Sequence, residues 1–308
     1  VLMKINSLQA CRGDSYVISW GQNAILIDGG MPITYGHILR AIEGKILKAV
    51  FVTHVDYDHI GGIINIIKSD KIDLSCCDFY MNNPELACHY NDLEVGYHHG
   101  DSLKSMLEEK GFKFLPATKS LDEFEIEGIK IKILLPTDDL ITYLYKNWTA
   151  SQIINEQKEI TGYLERPINN GDIINKSSIC LIVEHSEVKV LMLADAKAKD
   201  VVKSLSERNE FEFEFVKLSH HGSKHNTDKS LLKALNCQNY FISTNGGTYG
   251  HPDPETIKLL SEEAKERQTI YNIYLNYNLE NRIRKKFREK YDSEVEYLNF
   301  IYQQEVII

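Results

Sequence analysis

Four potential metal ligands, His54, Asp56, Asp58 and His59, fall within six consecutive positions of this chain, with Gly61 and Gly62 directly behind them. The preceding run Lys48-Ala-Val-Phe-Val52 is β-branched and aromatic and too short for a helix, so it reads as a buried strand. Ile63 to Lys68, after the glycines, reads as a helix. A strand, a ligand-bearing turn and a helix in that order place the polar residues at a strand's carboxyl end. There α/β folds put their sites, because a rigid sheet aims a short loop. Singly, each carboxylate reads as a helix cap and each histidine as a loop residue. Four together, beside glycines that permit close backbone approach, read as a metal site.

The arrangement recurs along the chain. Strand-like runs at Lys4 to Leu8, Ser15 to Ser19 and Ala24 to Ile27 are separated by Gly13-Asp14 and Gly21-Gln22-Asn23, and the third ends in Asp28-Gly29-Gly30. A helix is expected over His37 to Glu43, a strand over Lys71 to Tyr80, helix over much of Glu85 to Lys110, and strand alternation over Ile126 to Leu135. Ile179 to Glu184 and Val188 to Leu193 form a hairpin pattern that runs into Asp195. A helix over Lys199 to Arg208 then leads to a strand, Phe211 to Leu218, that ends at Ser219-His220-His221-Gly222-Ser223. After a helix over Ser230 to Leu235, the strand Asn239 to Thr244 opens into a loop ending Tyr249-Gly250-His251-Pro252. A layered α/β fold would bring these strand ends to one edge. Residues 1–255 are thus expected as one domain, with the polar, helical stretch 137–170, which holds Trp148, as an insertion or lid. Residues 256–308 are expected as a C-terminal extension packing on that domain or on a partner, through which the chain would bind a protein or a second copy.

Bulk properties narrow the function classes. With 308 residues, 43% of them hydrophobic, the chain can bury a substantial core. No apolar run approaches the ~20 residues that cross a bilayer, and the start lacks the basic and apolar segments of a secretory signal. A cytoplasmic protein without a membrane span is the expectation. The six cysteines form no C-x-x-C pair and fit a reducing compartment. A net charge of -9 opposes unassisted binding to nucleic acid. Against it stands one basic run, Arg282, Arg284, Lys285, Lys286, Arg288 and Lys290, interleaved with Ile283 and Phe287. It reads as a solvated helix face or as a phosphate-backbone contact.

The run His54-Val-Asp56-Tyr-Asp58-His59 resembles the His-x-His-x-Asp-His signature of the metallo-β-lactamase superfamily. Within it, Thr53 to Gly62, Ser219 to Lys224 and Tyr249 to Thr256 are most similar to the branch of the soluble, nuclease-like domain of the DNA-uptake protein ComEC. The resemblance spans about Ile5 to Leu260. It implies an αββα sandwich with two divalent metal ions along one shared edge, for which the donor set makes Mn²⁺ or Zn²⁺ the candidates. By that resemblance His54 and Asp56 bind one metal, Asp58 and His59 the other, Asp195 bridges them and His251 closes the second site. His220 and His221 resemble the pair that contacts substrate or assists the leaving group. Two departures stand out. Asp56 occupies the place of the second histidine, and Asn175 or Ser177 stands where a third ligand of the first site belongs. His98 and His99 are rival ligands but read as surface residues, as do His37, His89, His185 and His225.

Replacing imidazole by carboxylate favours Mn²⁺ or Mg²⁺, while the remaining histidines suit zinc. Asp56, Asp58 and Asp195 would repel a phosphate until two divalent cations reverse the sign. The expected activity is then a two-metal phosphodiesterase or nuclease acting on DNA. A metal-bridging hydroxide oriented by Asp58 would attack, His221 or His220 would protonate the departing oxygen, and Ser223, Lys224, Arg284 and Lys285 would contact substrate. A small-molecule ester, thioester, lactone or cyclic-nucleotide hydrolase is the enzymatic alternative, and a non-catalytic partner-binding component the other.

Overall fold

The computed structural model describes residues 2–82, 97–112, 114–146, 170–247 and 249–308. Two mixed sheets stack face to face with helices on both outer surfaces, the αββα sandwich that the resemblance implies. The first sheet begins with a meander, β1 (Met3–Ser7), β2 (Tyr16–Trp20) and β3 (Asn23–Ile27), and continues in parallel through β4 (Ile46–Val52), β5 (Asp78–Met81) and β6 (Phe114–Leu115). Its crossovers are α1 (Tyr35–Ala41), α2 (Tyr57–Lys68) and α3 (Tyr97–Glu109). Parallel neighbours need such crossovers, which is why helices cover the outer face.

The second sheet repeats the scheme. Antiparallel β7 (Glu123–Ile126), β8 (Ile129–Leu135), β9 (Cys180–His185) and β10 (Val188–Met192) precede parallel β11 (Phe215–Lys217), β12 (Asn239–Ile242), β13 (Tyr271–Leu275) and β14 (Leu298–Tyr302). Between β8 and β9 lie α4, over residues 138–146, and α5 (Asn170–Lys176). The parallel strands are joined by α6 (Ala198–Arg208), α7 (Lys229–Ala234), α8 (Pro254–Glu266) and α9 (Glu280–Tyr291), and β15 (Glu305–Ile307) returns to pair with β1. Among the described residues no helix is long and apolar enough to cross a membrane.

Strand β4 shows why these residues take this place. Ala49 and Phe51 enter the core between the sheets with Ile5, Ile25, Leu181 and Phe241, while Val50 and Val52 pack outward on Ile38, Ile63 and Ile67. Burial on both faces requires the unbroken apolar run seen in the sequence. The second helical layer is built alike, Leu191, Val216 and Tyr240 lying against Val201, Leu231, Leu260, Ile283 and Phe287.

Several expected boundaries shift. The strand expected over 71–80 is confined to β5, because Asp73 Oδ1 accepts from the Ser75 N–H at 2.9 Å and folds the chain into a turn. That expected over 211–218 shrinks to β11, its earlier part holding one isolated bridge, Glu212 to Asn236. Residues 256–308, expected as a C-terminal extension, add β13 and β14 to one sheet and β15 to the other. Most of the expected lid, with Trp148, lies outside the described residues, as does His89.

Candidate metal centre

The parallel strands of both sheets end at one edge, and the site is built from those ends. Asp28 follows β3 with a left-handed backbone, φ 58°. Its carboxylate accepts from the Thr53 N–H at 2.8 Å and the Thr53 hydroxyl at 2.6 Å, and meets His59 Nδ1 at 2.8 Å. A carboxylate on Nδ1 leaves His59 Nε2 to face the interior, 3.9 Å from Asp195 Oδ2. His54 is oriented in a similar way. Its Nδ1 lies 3.0 Å from Thr53 Oγ1 and 3.3 Å from Ser178 Oγ, and its Nε2 stands 3.8 Å from Asp56 Oδ2 and 3.9 Å from Asp195 Oδ2.

Two glycines let the ligand turn sit this close to the sheet. Gly62 N–H donates to Gly30 O at 3.0 Å, and a Cβ on Gly62 would meet Gly29 O at 2.1 Å. The β1–β2 loop presses from the other side, where a Cβ on Gly13 would lie 1.6 Å from Asp58 O. No side chain fits at either position.

The second sheet supplies the opposite wall. Asp195 follows Ala194 (φ 46°), and Asn226 donates to its backbone carbonyl at 2.8 Å. His220 and His221 occupy a turn after β11 with left-handed φ of 47° and 58°. For non-glycine residues that conformation is uncommon and strained. His220 Nε2 lies 3.5 Å from Asp195 Oδ2, and His221 Nδ1 is 2.7 Å from Ser243 O and 3.4 Å from Asp14 Oδ1.

Among buried polar atoms without a hydrogen-bond partner are His54 Nε2, Asp56 Oδ1, Asn175 Oδ1, Asp195 Oδ1 and His251 Nδ1. Such atoms are costly unless something satisfies them. Asp56, Asn175, Asp195 and His251 line one cavity of about 550 Å³, together with Arg12, Asp58, His220, His221, Ser223, Lys224, Tyr249 and others. Ligand atoms from Asp14, His59, Asp195 and His221 also lie within 4.8 Å of one another, as do those of Asp28, His54 and His59. Orphaned nitrogen and oxygen donors in this mixture fit divalent cations.

Electrostatics agree with that fit at Asp56, His54, His220 and His251, while His59 and His221 are held charged by neighbouring carboxylates. Burial, reinforced by Asp58, pushes the Asp56 carboxyl up to about 8, so its charged form needs a nearby cation. Burial also holds His54 well below its ordinary value, which keeps it neutral as a ligand must be. It lowers His220 too, and His251 to about 4. For His59 burial acts the same way but is outweighed by Asp28, which pushes the imidazole up to about 10. Burial works against the charge on His221 as well, and Asp14 more than offsets it.

His54, Asp56, His59, Asp195 and His220 thus meet at short range, and Asp58, His221, Ser223, Lys224, Asn175 and His251 line the same cavity. Arg284 and Lys285 do not line it. Arg284 is engaged by Glu280 and the Val295 carbonyl, and Lys285 faces Glu289. Ser177 Oγ is directed to Leu140 O rather than to a ligand. Sequence reasoning passed over Asp28, Asp14, Arg12 and Ser178. The Asp-Gly-Gly run after β3 was the available signal for Asp28. Nothing local distinguishes Asp14, whose partners His221 and Lys217 are some two hundred positions away.

Fold and site together define a metallo-β-lactamase fold with a histidine- and aspartate-rich centre at its sheet edge. The family model of the metallo-beta-lactamase superfamily matches residues 8–84, which contain the first ligand run. Two solved structures share the architecture. The metallo-beta-lactamase fold protein YhfI from Bacillus subtilis is 12% identical with a TM-score of 0.50, over 100% of this chain and 99% of its own. Tm1679, a metal-dependent hydrolase of the beta-lactamase superfamily, is 13% identical with a TM-score of 0.51, over 89% of this chain and 96% of its own. No curated protein matches the sequence.

Proposed function

We propose that this chain is a metal-dependent hydrolase of phosphodiesters, a nuclease-type activity for which DNA is the first substrate to test. One observation carries the reading. Orphaned ligand atoms converge on a cavity whose wall also holds the His220-His221 pair and two cationic side chains, Arg12 and Lys224. Arg12 and Lys224 stand beside Asp58 and Glu255, so they would favour a phosphate over a neutral acyl group once bound cations offset the acidic lining. The motif resemblance to the ComEC branch points the same way, and the fold shared with Tm1679 suits a metal-dependent hydrolase.

His54, Asp56 and Asn175 would hold one cation and Asp58, His59 and His251 a second, with Asp195 shared. Cations held there would supply a nucleophilic water at neutral pH and offset charge on the phosphate oxygens. The chain's own groups do the rest. Asp58, at the cavity wall 3.6 Å from Arg12 Nε, orients the attacking water and takes its proton. His221, its Nδ1 directed to the Ser243 carbonyl, keeps Nε2 to deliver a proton to the departing oxygen. His220, with Nε2 3.5 Å from Asp195 Oδ2, would contact the substrate beside that carboxylate.

The test is cleavage of end-labelled single-stranded DNA, duplex DNA and RNA with Mn²⁺ or Zn²⁺, wild type against Asp58→Ala. Metal-dependent cutting that falls by about 100-fold in the variant is expected. Metal-loaded protein that cuts none of the three, yet opens an ester or lactone, would overturn the reading.

A further inference from the structure

The loop from Asn245 to His251 carries the last expected ligand, and it is fixed from two sides. Asn245 N–H donates to Cys11 O at 2.8 Å, which ties it to the β1–β2 loop bearing Arg12. From behind, Arg282 donates to Gly246 O at 2.9 Å and Lys286 donates to Gly250 O. Gly246 is left-handed, φ 79°, and a Cβ there would meet Arg282 Nη1 at 2.2 Å. Part of the basic run in α9 therefore braces this loop.

What the brace presents is Tyr249. The residue is 78% exposed although it belongs to the cavity wall, and its ring lies 24° from the plane of His251 with centroids 6.1 Å apart. A large aromatic this exposed beside a metal-ligand candidate leaves surface open to a planar partner. Arg12 and Lys224 share the wall with it, so a phosphate near the ligands would have cations within the same cavity as the aromatic face. A cavity of about 550 Å³ falls within the size range of small-molecule pockets.

We infer that the substrate is an unpaired nucleotide in phosphodiester linkage, at the end of a single strand or in a small diester, whose base stacks on Tyr249 while its phosphodiester lies between the ligand cluster and Arg12. This rests on the phosphodiesterase reading and narrows it. A base inside a duplex is already stacked on both faces, so it has none to offer Tyr249. Stacking on an aromatic side chain is tolerant of sequence, so any base serves.

Two chromogenic diesters with the same leaving group test it, thymidine p-nitrophenyl phosphate and methyl p-nitrophenyl phosphate, on protein loaded with Mn²⁺ or Zn²⁺. The nucleoside ester is expected to have a KM about tenfold lower, a difference that Tyr249→Ala collapses towards one and Tyr249→Phe preserves. Equilibrium binding of thymidine monophosphate against methyl phosphate repeats the comparison without turnover. Equal KM values in the wild type, or a difference that survives Tyr249→Ala, overturn the inference and leave the phosphodiesterase reading standing. If neither ester and no nucleic acid is cut with either metal, both fall; if nucleic acid alone is cut, the reading stands and the binding comparison decides the inference.

Discussion

Lys217 and Asp14 form an ion pair that is buried on both sides and lies directly beneath Asp195. The lysine also donates to the Ala194 carbonyl at 2.9 Å and stands 3.9 Å from Asp195 Oδ1. Burial would strip its proton, and the two aspartates outweigh that and hold it charged. Burial likewise opposes the charge on Asp14, and Lys217 with His221 brings that carboxyl well below its usual range. One cation deep in the fold thus balances carboxylates contributed by both sheets.

Lys217→Met should therefore be among the most destabilising single changes. It leaves Asp14 with His221 as its nearest remaining counter-charge, and breaking a buried pair in this way costs about 3–5 kcal/mol. The pair Lys217→Met with Asp14→Asn should regain much of the loss, because no buried charge is then left alone. Urea unfolding with a chelator present measures both without a contribution from bound metal. Equal stability of the single and double variants would contradict the pairing.

Asp28→Asn should spare the fold but loosen the metal centre. The carboxylate fixes His59 through Nδ1, and loss of such an outer partner lowers metal affinity about 10–100-fold. Competition against a chelating dye gives the constant directly, and unchanged affinity would mean that Asp28 serves only the turn at Thr53.

Gly62→Ala tests the close approach of α2 to the loop after β3. The added methyl would push against the Gly29 carbonyl, backbone that cannot swing aside, so about 1–3 kcal/mol of stability should go with displacement of His59. Gly36→Ala, in helix α1 with only Arg40 Nη1 near an added Cβ at 3.9 Å, is the helical control without a steric block.

Glu255 predicts a pH dependence away from the metal ligands. The Lys290 ammonium, opposed by partial burial and helped by Lys224, brings its carboxyl from 4.5 to about 2. A carboxyl lowered on folding contributes stability above its unfolded value and loses it as pH falls from about 4.5 to about 2. Glu255→Gln should thus cost at most about 0.5 kcal/mol at neutral pH, given solvent screening at this half-exposed site. That difference should vanish near pH 2, and one that grew on acidification would reverse the sign.

The layers were legible because burial on both faces forces unbroken apolar strands, and β4 and the β9–β10 hairpin show this in sequence. So was the ligand run, because His54 to His59 is local. What escaped was set by distance. Asp28 reaches His59 across two strands, and Asp14 reaches Lys217 across the two sheets. The basic run was read as facing solvent or phosphate, and its composition does not reveal that Arg282 and Lys286 turn onto carbonyls of the Asn245–His251 loop. The closing strands β14 and β15 are short segments near the end of the chain, and their partners β13 and β1 decide that they are strands at all.

Asn175 offers the sharpest test of the centre's metal preference. It stands at the end of α5 with Oδ1 buried and unpartnered on the cavity wall, where the resemblance calls for a third ligand of the first site. An amide oxygen is a neutral, hard donor, so exchanging it for carboxylate adds charge without changing size. Asn175→Asp should tighten Mn²⁺ more than Zn²⁺, and Asn175→His should do the opposite by adding an imidazole. Asn175→Ala should weaken binding of one metal equivalent and leave the other. Titration with each metal under calorimetry separates the two equivalents, and identical isotherms for all three variants would remove Asn175 from the ligand set.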